Sequence, residues 1–141
     1  MEFDKKQYAA KVANLTGLSE FVEECADRSA LAVKKKFGLL VALEEAFVNI
    51  CSYAYPDGEG QVEVACGADN ACFVLEIADN GTPFDVLSLP APDTTLDVTE
   101  REIGGLGVYF IRRLTDDVSY RRENGQNILR LVLTLPEGVL P

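Results

Sequence analysis

Asn124-Gly125 separates two runs with strand character, Val118 to Arg122 and Ile128 to Leu135. The type I′ two-residue hairpin turn needs positive φ at both central positions, and Asn-Gly tolerates that better than almost any other pair. The step therefore predicts a closing antiparallel hairpin with the turn Glu123-Asn124-Gly125-Gln126. Such a ribbon must bury its apolar face against other elements.

The rest of the chain supplies those elements. Residues 5–13 predict a short strand. Leu15 to Ala26 predicts a helix, with Leu18, Phe21, Val22 and Cys25 at i, i+3, i+4 and i+7 and with Thr16 or Ser19 as its cap. Residues 33–55 predict a long second helix whose apolar stripe is Phe37, Leu40, Val41, Phe47, Val48, Cys51 and Tyr55, ended by Pro56-Asp57-Gly58. Gln61 to Cys66 and Cys72 to Ala78 predict two strands, connected by Gly67-Ala68-Asp69-Asn70. Gly105 to Thr115 predicts a third helix with Leu106, Val108, Phe110, Ile111 and Leu114 as its apolar residues. Residues 79–104 are irregular and longer than a compact domain ordinarily spends on a connection, which points to function or motion. The order is strand, helix, helix, two strands, loop, helix, two strands. It predicts an α+β two-layer sandwich, with three helices on one face of a mixed, mostly antiparallel sheet.

Composition narrows the function. The 141 residues fit one domain, 1–141. Hydrophobic residues make up 48% and charged residues 26%, the balance of a globular protein rather than a disordered one. No apolar run approaches the ~18–20 residues of a membrane span, and the N-terminus has no apolar signal region, so a cytoplasmic protein is expected. Acidic residues outnumber basic ones 23 to 13, for a net charge of −10. That repels a nucleic acid but leaves room for a small anion held by backbone N–H groups and a divalent metal. The chain has no histidine, which excludes a Ser-His-Asp triad, a Cys-His dyad and a His-ligated zinc. Cys25, Cys51, Cys66 and Cys72 form no CxxC pair and read as reduced, mostly buried thiols. Acid–base chemistry must fall to carboxylates, lysine or tyrosine.

Three islands carry residues suited to chemistry. Glu45 and Asn49 are four apart on the second helix and share a face; one is a candidate base, the other a neutral oxygen ligand for Mg²⁺. Periodicity alone would choose Glu44 as the buried carboxylate, since Glu44 falls within the apolar stripe. Asp79-Asn80-Gly81 follows a strand. A carboxylate there can accept from the amino group of adenine, and Gly81 lets backbone approach a flat ring. Gly104-Gly105-Leu106-Gly107 opens the third helix, where free N–H groups and the helix dipole attract anions. Taken singly, each has an ordinary reading: a solvated helix face, a turn, a hinge at a helix start.

In this order the islands resemble the Bergerat ATP-binding fold of gyrase-type ATPases, heat-shock-90-type chaperones, histidine kinases and anti-sigma-factor serine kinases. ALEEAFVNICSYAYPDG resembles its N-box and IADNGTPFD its first glycine box. EREIGGLGVYFIRRLTDDVSYRRENGQNIL resembles the second glycine box and closing hairpin of the anti-sigma serine-kinase branch. The resemblance implies ATP and Mg²⁺ as ligands, Glu45 as general base, Asn49 as metal ligand and Asp79 as adenine acceptor with Gly81 beside it. It further implies residues 82–103 as a lid, Gly104, Gly105 and Gly107 as phosphate-facing backbone, and Asn127 on the adenine side. It implies as partners an anti-sigma-antagonist protein phosphorylated on serine, a sigma factor, and a second copy of the chain, since anti-sigma members often dimerise. The sequence departs from the family pattern at Val48, where a small polar residue is usual, and at Tyr53, where histidine is usual. Those departures keep a rival open: a non-catalytic, nucleotide-sensing module that switches partners.

Overall fold

The computed structural model describes residues 3–56, 58–88 and 105–136. Five strands form one sheet: β1 (Asp4–Ala9), β2 (Gln61–Asp69), β3 (Cys72–Asp79), β4 (Asp117–Glu123) and β5 (Gln126–Thr134), in the spatial order β1-β2-β3-β5-β4. Each neighbouring pair is antiparallel, so the sheet is uniform where a mixed one was expected. Helices α1 (Leu15–Arg28), α2 (Val33–Tyr53) and α3 (Gly105–Leu114) supply the second layer.

The core lies between the layers. Phe73, Leu75 and Ile77 of β3 alternate toward it, as do Leu129, Leu131 and Leu133 of β5, all nearly or fully buried. From the helices come Leu18 and Val22, then Leu39, Leu43 and Phe47, then Val108 and Ile111. Fully burying such a side chain stabilises by roughly 1.5–3 kcal/mol. The opposite sheet face is mixed, with the buried apolar residues Ala65, Val74 and Ile128 among charged ones. There Glu76 receives hydrogen bonds from Arg121 at 3.1 Å and from Arg130 at 3.0 Å. Burial raises the Glu76 carboxyl, but the two guanidinium groups outweigh it and hold the group below its ordinary range.

Several local expectations change. Neither Thr16 nor Ser19 caps α1, because a 3₁₀ turn at Val12–Asn14 runs straight into the helix; Asn14 instead donates to the Ala9 carbonyl at 2.9 Å. The β2–β3 connection is shorter than Gly67–Asn70. The strands extend to Asp69 and from Cys72, leaving Asn70 and Ala71 as a two-residue turn at φ +50° and +70°. The Asn124-Gly125 turn adopts the positive φ values its residues demand, +52° and +78°.

The apolar stripe of α2 is rotated from the expected one. Phe37 and Val41 are 61% and 45% exposed, whereas Leu39, Ala42, Leu43, Ala46 and Phe47 face the core. On α3, Phe110 is likewise largely exposed while Val108 and Ile111 are buried. Cys25, Cys51, Cys66 and Cys72 are free thiols, the first and third buried and the others half-buried. Among the described residues, no helix is long and apolar enough to cross a membrane.

Candidate functional site

The pairing of β3 with β5 puts Asp79 directly opposite Asn127, both on the helix-facing side and both almost fully buried. The Asn127 amide donates to Asp79 Oδ1 at 2.9 Å, and the Gly81 N–H donates to the same oxygen at 2.9 Å. Among the described residues Oδ2 receives no donor. The amide also donates to the Thr82 carbonyl at 2.8 Å and accepts from the Phe84 N–H at 3.1 Å and the Tyr120 hydroxyl at 2.6 Å.

The loop leaving β3 is tied to the end of α2. Thr82 N–H donates to the Ala54 carbonyl at 2.9 Å, and Gly81 lies so near that a Cβ there would sit 2.2 Å from that oxygen. Sequence reasoning assigned this closeness to a flat ring; the backbone that approaches Gly81 is the protein's own. Arg122 donates to the Gly81 carbonyl at 2.9 Å, and the Tyr55 hydroxyl accepts from the Asn80 N–H at 2.8 Å. Arg122 and Tyr120 were not singled out by sequence, and Tyr55 was read there only as part of the α2 stripe. Strand alternation places Tyr120 on the same face as Val118, a signal that could have found it.

Asn49 comes up from α2 into the same place. It is 9% exposed and its Nδ2 has no hydrogen-bond partner, an exception among buried polar groups that calls for an explanation. Asn49, Asp79, Tyr120 and Asn127 line one cavity with Ile77, Leu129 and Phe84 among its apolar walls. At about 30 Å³ it holds roughly one water. Phe84 packs on Tyr53 with ring centroids 5.5 Å apart. A wider hollow of about 520 Å³ lies on the open sheet face between Lys5, Glu63, Glu76 and Gln126. It opens on the other side of the sheet from Asp79 and Asn127, lined by their neighbours Ala78 and Ile128, and its Glu76 is already paired.

Glu45 stands one turn before Asn49 and is half-buried, while Glu44 is exposed. Burial, and then the charge of Glu44, push the Glu45 carboxyl above its ordinary range. The helical wheel chose the wrong neighbour: the raised carboxylate is Glu45. α3 opens at Gly105, so Gly105 and Gly107 occupy its first turn, where backbone N–H groups lack intrahelical partners. Gly104, and residues 89–103 of the segment read as a lid, lie outside the described residues.

These residues suit a metal–phosphate ligand. Among the described residues no three His, Cys, Asp or Glu side chains cluster, so no all-protein cage forms there. Mg²⁺ does not require one, being held by one or two protein oxygens together with substrate phosphates and water. The buried carboxamide of Asn49 fits that part.

The sequence profile described as the histidine kinase-like ATPase domain matches residues 8–133. Two curated relatives are serine-protein kinases RsbW of Bacillus cereus, from strains AH187 and G9842. They are 29% and 30% identical over 108 residues, covering 74% of this chain and 68% of each relative. In fold, the chain is similar to the structure of the RsbU and RsbW domains of a Mycobacterium tuberculosis protein. The TM-score is 0.63 at 13% identity, covering 94% of this chain and 32% of that one. It is also similar to the catalytic domain of histidine kinase ThkA, with a TM-score of 0.56 at 11% identity, covering 96% of this chain and 97% of that one.

Proposed function

The chain belongs to the histidine kinase-like ATPase domain family, and on that premise we propose that residues 1–141 form one Mg²⁺-ATP-binding regulator of the anti-sigma type, acting in the cytoplasm as a serine-protein kinase on a small anti-sigma-antagonist protein. The observation that carries the reading is the orphaned, buried amide of Asn49 in the cavity that also holds Asp79. A buried donor without a partner is costly in the free protein, and it is accounted for if a ligand or its hydration completes the site.

In this reading the adenine amino group donates to Asp79 Oδ2, the oxygen without a partner among the described residues. Guanine presents a carbonyl there and is refused. Asn127 holds Asp79 in place, and Gly81 shapes the loop against Ala54. The cavity is far below the roughly 300–1,000 Å³ of a small-molecule site, so the Phe84 side chain in its wall must swing aside for a purine to enter. Gly104, Gly105 and Gly107 present backbone N–H groups to the phosphates, and Asn49 offers its oxygen to Mg²⁺. When bound, Mg²⁺ neutralises phosphate charge and aligns the transferred group. Glu45 then takes the proton of the attacking serine hydroxyl. Its carboxyl, raised by burial and by the charge of Glu44, makes it a stronger base than an ordinary surface glutamate.

The partners that follow from the reading are the antagonist protein, a sigma factor to sequester, and a second copy of the chain. The rival, a nucleotide-sensing module without turnover, is favoured by Tyr53 and Val48, neither of which supplies the usual polar group. The deciding experiment incubates the protein with labelled ATP, Mg²⁺ and an anti-sigma-antagonist protein from the same source. Label on a serine of that partner supports the kinase. Tight Mg²⁺-ATP binding without transfer leaves the module.

A further inference from the structure

Asn127 uses its whole hydrogen-bonding capacity on the protein. Its amide nitrogen gives both hydrogens, to Asp79 Oδ1 and the Thr82 carbonyl, and its oxygen accepts from Phe84 N–H and the Tyr120 hydroxyl. A carboxamide has two donors and two acceptor sites, so nothing is left over. The arrangement also fixes which end is which. Turned over, the amide would point its oxygen at the Asp79 carboxylate and its N–H₂ at the Phe84 N–H, losing bonds on both sides.

Asp79, the Thr82 carbonyl and the Phe84 N–H set this orientation, and among the described residues Tyr120 is the one side chain that holds the amide oxygen in it. It sits on β4, beside β5, with its ring in the cavity wall and its hydroxyl 2.6 Å from Asn127 Oδ1. We propose that Tyr120 is a positioning residue for base recognition: by holding the Asn127 amide, it fixes the Asp79 carboxylate so that its second oxygen meets the adenine amino group. The proposal rests on the adenine assignment above and adds a residue that itself makes no contact with the reacting atoms. It also means Asn127 acts on the base through Asp79 rather than by its own hydrogen bond.

The phenylalanine variant tests this, since Tyr120→Phe keeps the ring and removes only the hydroxyl. In the nucleotide-free protein, the side-chain amide protons of Asn127, followed by ¹⁵N NMR, should shift and exchange faster with water in Tyr120→Phe. In the same variant the preference for ATP over GTP, measured by titration calorimetry with Mg²⁺, should narrow about tenfold. Asn127→Ala should narrow it similarly, and adding Tyr120→Phe to Asn127→Ala should change little, because both act through one contact. Unchanged Asn127 signals would overturn the proposal. So would altered signals with an unchanged ATP-to-GTP ratio, which would make Tyr120 merely structural. Absence of any ATP preference in the unmodified protein would instead defeat the adenine assignment itself, and it is read before any variant is made.

Discussion

Gly81 rests against the carbonyl of Ala54, with room for a hydrogen and none for a methyl group: an added Cβ would lie 2.2 Å from the oxygen and 2.6 Å from the Ala54 Cβ. The contact joins the loop after β3 to the C-terminal cap of α2, the two segments that carry Asp79 and Asn49. Because the clashing atoms are backbone, relief requires the loop to move. Gly81→Ala should destabilise by about 1–3 kcal/mol in urea melts and weaken nucleotide binding along with it. A variant of unchanged stability would mean that the seam is looser than described.

Much of the sheet was legible from sequence because single residues dictated it. Asn124-Gly125 fixed its own turn, and Val62, Val64 and Cys66, two residues apart along β2, are all buried in the core. The site was legible only as islands. Asp79 and Asn127 are 48 residues apart, and only the β3–β5 register brings them face to face. That register depends on long-range packing no local pattern encodes. The α2 stripe misled for a different reason. Leu39 to Leu43 is a continuous apolar run, so its periodicity does not determine a phase. The side covered by α3 and the sheet decided that Phe47 is buried, Phe37 exposed, and Glu45 rather than Glu44 partly desolvated. The Asn70-Ala71 turn was missed because alanine is a poor turn former at positive φ.

That same misfit gives a stabilising substitution. Ala71 at φ +70° carries a left-handed backbone cost of roughly 1–2 kcal/mol, which glycine does not bear, although glycine loses more freedom on folding. Ala71→Gly should therefore raise stability by up to about 1 kcal/mol without altering nucleotide binding. Thermal melting checks this, and a fall in stability would contradict the turn geometry.

Glu45 should make stability depend on pH in a definite direction. Its carboxyl is raised in the folded chain, so the folded state keeps a proton that the unfolded state has released. The associated stability is complete below the unfolded carboxylate value and is lost as pH rises through the folded one. Glu45→Gln should consequently be more stable than the unmodified protein at pH 7, and the difference should vanish below about pH 4. Its phosphoryl transfer should fall by about 10²–10⁴-fold with ATP affinity nearly unchanged. If Glu44→Gln is inactive and Glu45→Gln active, the base has been misassigned by one residue.

Asn49 sets stability against function. Its Nδ2 is buried without a partner, so the isosteric Asn49→Leu should stabilise the nucleotide-free protein by about 1 kcal/mol. The same change removes the proposed metal ligand. Addition of Mg²⁺ should then no longer tighten ATP binding, a loss visible in calorimetric titrations with and without the metal. Retained Mg²⁺ dependence would assign the ligand elsewhere.

The most direct measurement is the melting temperature of the protein, and of Asp79→Asn, with Mg²⁺ and saturating ATP, ADP or GTP. Nucleotide at ~100 times its Kd stabilises by roughly 2.7 kcal/mol, an easily seen shift. ATP and ADP should raise the melting temperature of the unmodified protein and GTP should barely do so. Asp79→Asn should respond to neither adenine nucleotide, because an amide can present a donor where the base needs an acceptor. Equal stabilisation by GTP, or a full ATP response in Asp79→Asn, would contradict an adenine site built on Asp79.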